Sequence, residues 1–307
     1  MGEKDIAEKT LESYNDVFAD LINVTIFNGR QVIIPESLAD AISSSQYKFD
    51  QKLHEQIRDV AKYWNGENNI RLVFLGIENQ TKIDKDMPLR VMEYDGAAYR
   101  NQLNQDSFVE TEDCKKYRKR NDRYPVITIV LNFSMTKWET PKSLMDTFKG
   151  LDKLPSELME YIHDYKINVI DIAYLTMEQV KMFKSDFKYV AEYLVCKRLK
   201  QDYKPDSETL KHKDEVLKLL KALTGDNRYF EILTETSGEE TISMCDVLDK
   251  MEAKGIAKGI AKGIAEGMAK ERIKSAKDFI KAGLTTFEKI KNSGLYSEDE
   301  LSAIASL

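Results

Sequence analysis

Cysteine, histidine and long apolar runs are all scarce in this chain, and each scarcity removes a class of function. The three cysteines, Cys114, Cys196 and Cys245, lie far apart without Cys-x-x-Cys spacing, which argues against a disulfide framework and against a zinc ribbon. A reducing cytoplasm is therefore the expected compartment. The three histidines, His54, His163 and His212, are isolated from one another and from cysteine pairs, so neither a histidine metal site nor a Ser/His/Asp triad is supported. No glycine-rich phosphate loop follows a strand. Nowhere do eighteen apolar residues run uninterrupted, and the opening Met-Gly-Glu-Lys-Asp has no apolar run behind it, so neither membrane insertion nor secretion is expected. The formal net charge of -6 argues against a generally basic coat, and any contact with DNA must come from a local patch.

What is present suffices for a packed core, since 42% of the 307 residues are hydrophobic. The most informative stretch runs from Arg58 to Gln80. Two arms rich in β-branched and aromatic residues flank a link that holds Asn65-Gly66 and Asn68-Asn69, which predicts strand, turn, strand. With the turn centred between Asn68 and Asn69, Asp59 faces Glu78, Ala61 faces Gly76 and Tyr63 faces Phe74 on one side. Val60, Trp64, Val73, Leu75 and Ile77 take the core side. Like charges set opposite each other destabilise a sheet, so the pair makes most sense with a cation between them. Two carboxylates at that separation suit magnesium, which prefers oxygen ligands and keeps waters that a phosphate can displace. Phosphodiester hydrolysis is the reaction this implies, with Gln80 able to orient the attacking water but not to deprotonate it. The alternative is that Asp59 starts a strand and Glu78 ends one, each solvated at a sheet edge.

Upstream, Leu11, Tyr14, Phe18, Leu21, Ile22 and Thr25 predict one core helix over 10–27, stopped by Asn28-Gly29, and the first core strand falls within 31–57, where Val32-Ile33-Ile34 is the apolar run. Downstream, Asp86 and Pro88 open a helix whose apolar side is read as Leu89, Met92, Tyr99 and Leu103. Arg90 and Tyr94, one turn apart on it, either face the metal pocket and hold a phosphate or leave Arg90 to pair with Glu93 at the surface. Val126 to Phe133 reads as a buried strand reached by that helical crossover. The order is α, β, β, β, α, β.

Between helix and strand, the run from Cys114 to Arg123 has six basic residues against one acidic. Lys115, Lys116, Arg118, Lys119 and Arg120 there form the best DNA-backbone patch, with Tyr117 placed to stack on an unpaired base; a solvated loop is the alternative. From Trp138 to about Leu223 the chain reads as mostly helical, with a possible strand at Val169 to Leu175. Near the end, Gly255, Gly259, Gly263 and Gly267 recur every fourth residue, and four glycines cost a helix roughly 4 kcal/mol relative to alanine. The segment is either a homo-oligomerisation helix or a tether. Thr285 with Glu288 and Ser297 with Glu300 predict two short capped helices.

Asn15 to Asp20, Arg58-Asp59-Val60, Gly76 to Gln80, Met87 to Val91 with Tyr94-Asp95, Tyr124-Pro125-Val126 and Phe183 to Phe187 together resemble the PD-(D/E)XK nuclease superfamily. The closer likeness is to its Rpn branch, the recombination-promoting nucleases also grouped with transposases. The resemblance implies a restriction-endonuclease-like αβββαβ core, an α/β (α+β) fold with a mixed sheet and a helical C-terminal extension. It implies Asp59 and Glu78 as metal ligands, the Asn79 backbone carbonyl as a third, magnesium as cofactor with manganese able to substitute, and DNA as partner. Gln80 stands where the superfamily usually carries lysine, as is typical of the Rpn branch. Asp16, with Glu55 as competitor, is the candidate for a further acid from the first helix. The expected division is 1–135 nuclease-like core, 136–250 mainly helical extension, 251–271 repeat and 272–307 helical tail. The leading expectation is a magnesium-dependent DNA endonuclease; the alternative is a catalytically weak DNA-binding or self-assembling regulatory protein.

Overall fold

The computed structural model describes all residues except 1–2, 42–43, 50–51, 58, 68–69, 111–115, 120, 237–240 and 307; for 3–5, 44–49, 52–57, 107–110 and 116–119 it describes backbone alone. The chain divides into two compact units, Met1–Cys245 and Asp246–Leu307.

The hairpin is the centre of the first unit. Strands β4 (Val60–Asn65) and β5 (Arg71–Gln80) pair antiparallel with Ala61 opposite Gly76 and Tyr63 opposite Phe74, the expected register. The slip to Asn65 opposite Arg71 comes only at the turn end; the turn centre at 68–69 lies outside the described residues. Helix α3 (Met87–Asn104) then carries the chain over to β8 (Val126–Asn132), which runs parallel to β5. Strand β9 (Asn168–Asp171) extends the sheet in parallel, and β1 (Leu38–Asp40) closes the other edge against β4. The five-stranded mixed sheet has the order β1-β4-β5-β8-β9. Two ribbons stand outside it: β2 (Ser44–Phe49) with β3 (Lys52–Ile57), and β6 (Ser107–Glu110) with β7 (Lys116–Lys119). On the α3 side, Ala61, Phe74 and Val126 form one apolar cluster, and Met87, Val91, Val130, Trp138 and Ile167 another.

Several local expectations change. The helix over 10–27 is two helices, α1 (Glu3–Ser13) and α2 (Asn15–Thr25), broken at Tyr14, whose backbone is extended at ψ 132°. Tertiary contacts favour the break: the Tyr14 ring stacks on His212 at 3.9 Å, and Asn15 Nδ2 donates to the Pro35 and Leu38 carbonyls. The stop at Asn28-Gly29 holds, both residues having positive φ. The first core strand does fall within 31–57, at Leu38–Asp40, and not at the apolar run Val32-Ile33-Ile34, where the Asn23 side chain takes the Val32 and Ile33 N–H groups that a ladder would use. On α3 the expected apolar side is the exposed one: Leu89, Met92, Tyr99 and Leu103 face outward, while Met87, Val91, Tyr94, Asp95 and Gln102 are buried. Two of the buried ones are polar because they have partners, Thr128 and Tyr165 for Asp95 and the Tyr124 backbone for Gln102. Asp86 precedes α3 without capping it by its side chain. The stretch 138–186 is mostly irregular rather than helical: its α-helices are the single turns α4 (Ser156–Met159) and α5 (Met177–Val180), and β9 supplies a strand where one was expected, before α6 (Phe187–Leu199), α7 (Lys213–Thr224) and α8 (Arg228–Glu235).

In the second unit the repeat is one unbroken stretch of α9 (Met244–Lys281). Ala276, Ile290 and Ile304 form a small core joining α9 to α10 (Phe287–Asn292) and α11 (Glu298–Ala305). Ser297 and Glu300 make the expected capping box; the cap of α10 is Thr286, bonded to Lys289, rather than Thr285. Cβ atoms added at Gly259, Gly263 and Gly267 would meet nothing within 4 Å. The triple change of these glycines to alanine is expected to raise α9 stability by about 2 kcal/mol, read as a later melt of its helical circular dichroism signal.

Candidate metal centre at the end of the hairpin

Asp59 precedes β4 and Glu78 lies near the end of β5, in line with the register that pairs Val60 with Ile77. Asp59 Oδ2 accepts the Asn79 backbone N–H at 2.7 Å, and Lys9 Nζ of α1 reaches Oδ1 at 2.8 Å. The Gln80 carbonyl accepts from Phe133 N on the β8 side. Backbone groups alternate in direction along a strand, so the Asn79 carbonyl turns, with its N–H, toward Asp59. Glu78 is 3% exposed. Its Oε1 accepts from Arg90 Nη2 at 2.6 Å and lies 3.4 Å from the Tyr94 hydroxyl and 3.5 Å from Gln80 Nε2. Its Oε2 is buried without a partner. Burial first, and the Asp59 charge second, push the Glu78 carboxyl up to about 8. Lys9, Asp59, Glu78, Gln80 and Arg90 line one cleft of about 270 Å³.

Arg90 and Tyr94 thus turn to the carboxylate pair, and the surface partner of Arg90 is Asp84 at 2.7 Å rather than Glu93. Asp16 sits in another place. Both its oxygens lie 3.0 Å from His212 Nε2, and Lys211 Nζ donates to Oδ2 at 2.6 Å. Burial acts upward on it, but the Lys211 and His212 hydrogen bonds outweigh that and hold it below the ordinary carboxylate range. Lys116, Arg118 and Lys119 lie on β7 of the outlying ribbon; Lys115 and Arg120, like the Glu55 side chain, fall outside the described residues. Arg123 of the same basic run is tied inward to Asp106 at 2.6 Å.

Sequence reasoning missed Lys9 and Glu12. Glu12 is buried on α1, and its Oε2 accepts from Asn79 Nδ2 at 2.7 Å. Burial drives its carboxyl well above the usual range. The signal was Glu8 and Glu12 one turn apart, beside Leu11, on what must be the buried side of a helix that starts before Thr10.

A family model described as "Putative transposase, YhgA-like" matches residues 37–225. The chain belongs to this family. The match spans the sheet from β1 to β9 and both site carboxylates, and membership implies a transposase- or nuclease-like role with DNA as partner. Neither a curated protein nor a solved structure matches the chain. Among the described residues no helix of this family member is long and apolar enough to cross a membrane.

Among the described residues no group of three or more histidine, cysteine or acidic side chains is disposed around a metal. Two carboxylates do line one cleft, all their donor atoms are hard oxygens, and the orphaned Glu78 Oε2 is a buried acceptor that a cation would satisfy. The residues fit a magnesium ion, which Asp59, Glu78 and the Asn79 carbonyl would hold.

Proposed function

We propose that the chain is a magnesium-dependent DNA endonuclease that hydrolyses phosphodiester bonds, acting in the cytoplasm. The observation that carries this reading is the facing Asp59–Glu78 pair in a cleft, with Glu78 Oε2 buried and unsatisfied. A bound magnesium ion, or manganese in its place, would neutralise charge on the scissile phosphate and make hydroxide available near neutral pH. The chain's own groups do the rest. Arg90, fixed by Asp84, holds Glu78 in place while Tyr94 backs it from the next turn. Gln80 orients the water without taking its proton. The β7 lysines and arginine track the DNA backbone, a contact without sequence preference.

Nicking of supercoiled plasmid with magnesium, manganese or EDTA tests the reading. Metal-dependent nicking is expected, and no nicking in any metal would overturn it. Changing Lys116, Arg118 and Lys119 together to glutamine is expected to weaken DNA binding at low salt by at least tenfold and to flatten its salt dependence by about two to three charges. Filter binding across a salt series reads both.

A second reading, a self-assembling regulator, is favoured by the exposed row Ile256, Ile260, Ile264 and Met268 on α9. Removing 251–307 and measuring size in solution separates the two. A truncated chain of unchanged oligomeric state argues against assembly through the repeat.

A further inference from the structure

Gln80 leaves β5 without a cation beside Glu78, yet the cleft does not lack one. Lys9 enters from α1, an element about fifty residues before the hairpin, and places its ammonium 2.8 Å from Asp59 Oδ1 with its side chain only 20% exposed. The backbone behind it is fixed, because Ala7 and Leu11 of the same helix are buried. Arg90 is differently engaged: one guanidinium nitrogen holds Asp84 at 2.7 Å and another holds Glu78 at 2.6 Å. Lys82, the remaining lysine on the cleft, follows the end of β5 and is exposed. Two cations therefore reach the carboxylates from the cleft wall, Arg90 at Glu78 and Lys9 at Asp59, and of the two lysines on the cleft Lys9 is the one held there.

We propose that Lys9 is a catalytic residue of this chain, its ammonium, held at Asp59 on the cleft wall, contacting the scissile phosphate and the attacking water. The proposal rests on the nuclease reading above. A divalent ion and the Lys9 ammonium compete for Asp59 Oδ1. Once displaced, the side chain stays at the cleft wall, where its three N–H donors suit non-bridging phosphate oxygens. In the hydrolysis, the water oxygen forms the new P–O bond and one P–O ester bond breaks. The electron pair leaves with the departing sugar oxygen, which is protonated, and the water's proton passes to solvent. Lys9 stays an ammonium throughout and stabilises the charge that grows on phosphorus-bound oxygen.

The test uses the full-length chain, with Lys9→Met, Gln80→Lys and the double variant, read by plasmid cleavage and by calorimetric titration with Mn2+. Lys9→Met is expected to cleave about 100-fold more slowly or worse, yet to bind Mn2+ as tightly as wild type or more tightly, since the competing ammonium is gone. The double variant, with a lysine restored on β5, is expected to recover at least about tenfold of the lost rate. Cleavage by Lys9→Met within threefold of wild type would overturn the proposal while leaving the nuclease reading intact. So would loss of Mn2+ binding in Lys9→Met with no recovery in the double variant, because Lys9 would then only hold Asp59. Loss of cleavage in Lys82→Met with Lys9→Met active would move the role to Lys82. Inactivity of wild type and of Gln80→Lys in every metal would remove the nuclease reading and the proposal together.

Discussion

On the nuclease reading, Glu78→Gln is expected to lower metal-dependent cleavage by roughly 10³-fold, and Asp59→Asn by a similar factor, because each would remove an anionic ligand of the proposed metal while keeping shape. Stability should move the other way. The folded chain holds a proton on Glu78 up to about pH 8, whereas an unfolded glutamate gives it up near 4.5. Between those values the folded state binds the extra proton, so in EDTA wild-type stability falls as pH rises from about 4.5 to 8 and stays lower above. Glutamine is neutral throughout and removes that slope. In thermal melts the variant should match wild type near pH 5 and melt higher at pH 9. Magnesium added at pH 8 should raise the melting temperature of wild type but of neither variant, since only the ionised pair binds it. A magnesium-induced rise in Glu78→Gln equal to that of wild type would exclude Glu78 as a ligand.

Asp20→Ala is expected to cost about 3 kcal/mol, lowering the melting temperature of the first unit by roughly 6–12 °C, without touching the chemistry. Asp20 Oδ2 accepts the Lys184 and Ser185 backbone N–H groups, both at 2.7 Å, just before α6. Burial raises its carboxyl and those N–H bonds pull it back. Alanine leaves two N–H groups in a dry place with nothing to donate to. Asp186 does a related job, accepting His212 N at 2.6 Å ahead of α7. Two of the family-like strings, 15–20 and 183–187, thus meet in space as a clamp between α2 and α6. Calorimetry reads the loss. A change below about 1 kcal/mol would mean that water replaces the carboxylate, and loss of cleavage by folded Asp20→Ala would mean that the clamp reaches the site.

Local pattern was enough to read the β4–β5 register, the facing of Asp59 and Glu78, the crossover to a parallel β8 and the Ser297 capping box. Each depends on residues close in the chain, and in a strand the two-residue period leaves only two faces to choose between. A helix gives no such binary choice. Its apolar stripe is read from weak propensities, and on α3 partners for Asp95 and Gln102 outweighed Leu89, Met92, Tyr99 and Leu103. The break at Tyr14, the pairing of Asp16 with His212 and the arrival of Lys9 and Glu12 at the hairpin join residues about fifty to two hundred positions apart. Only the packing of helices onto the sheet brings such pairs together, because no local pattern encodes which distant charge will neutralise a buried carboxylate. Which distant side chains reach the hairpin, Lys9 at Asp59 and Glu12 at Asn79, is set by that packing.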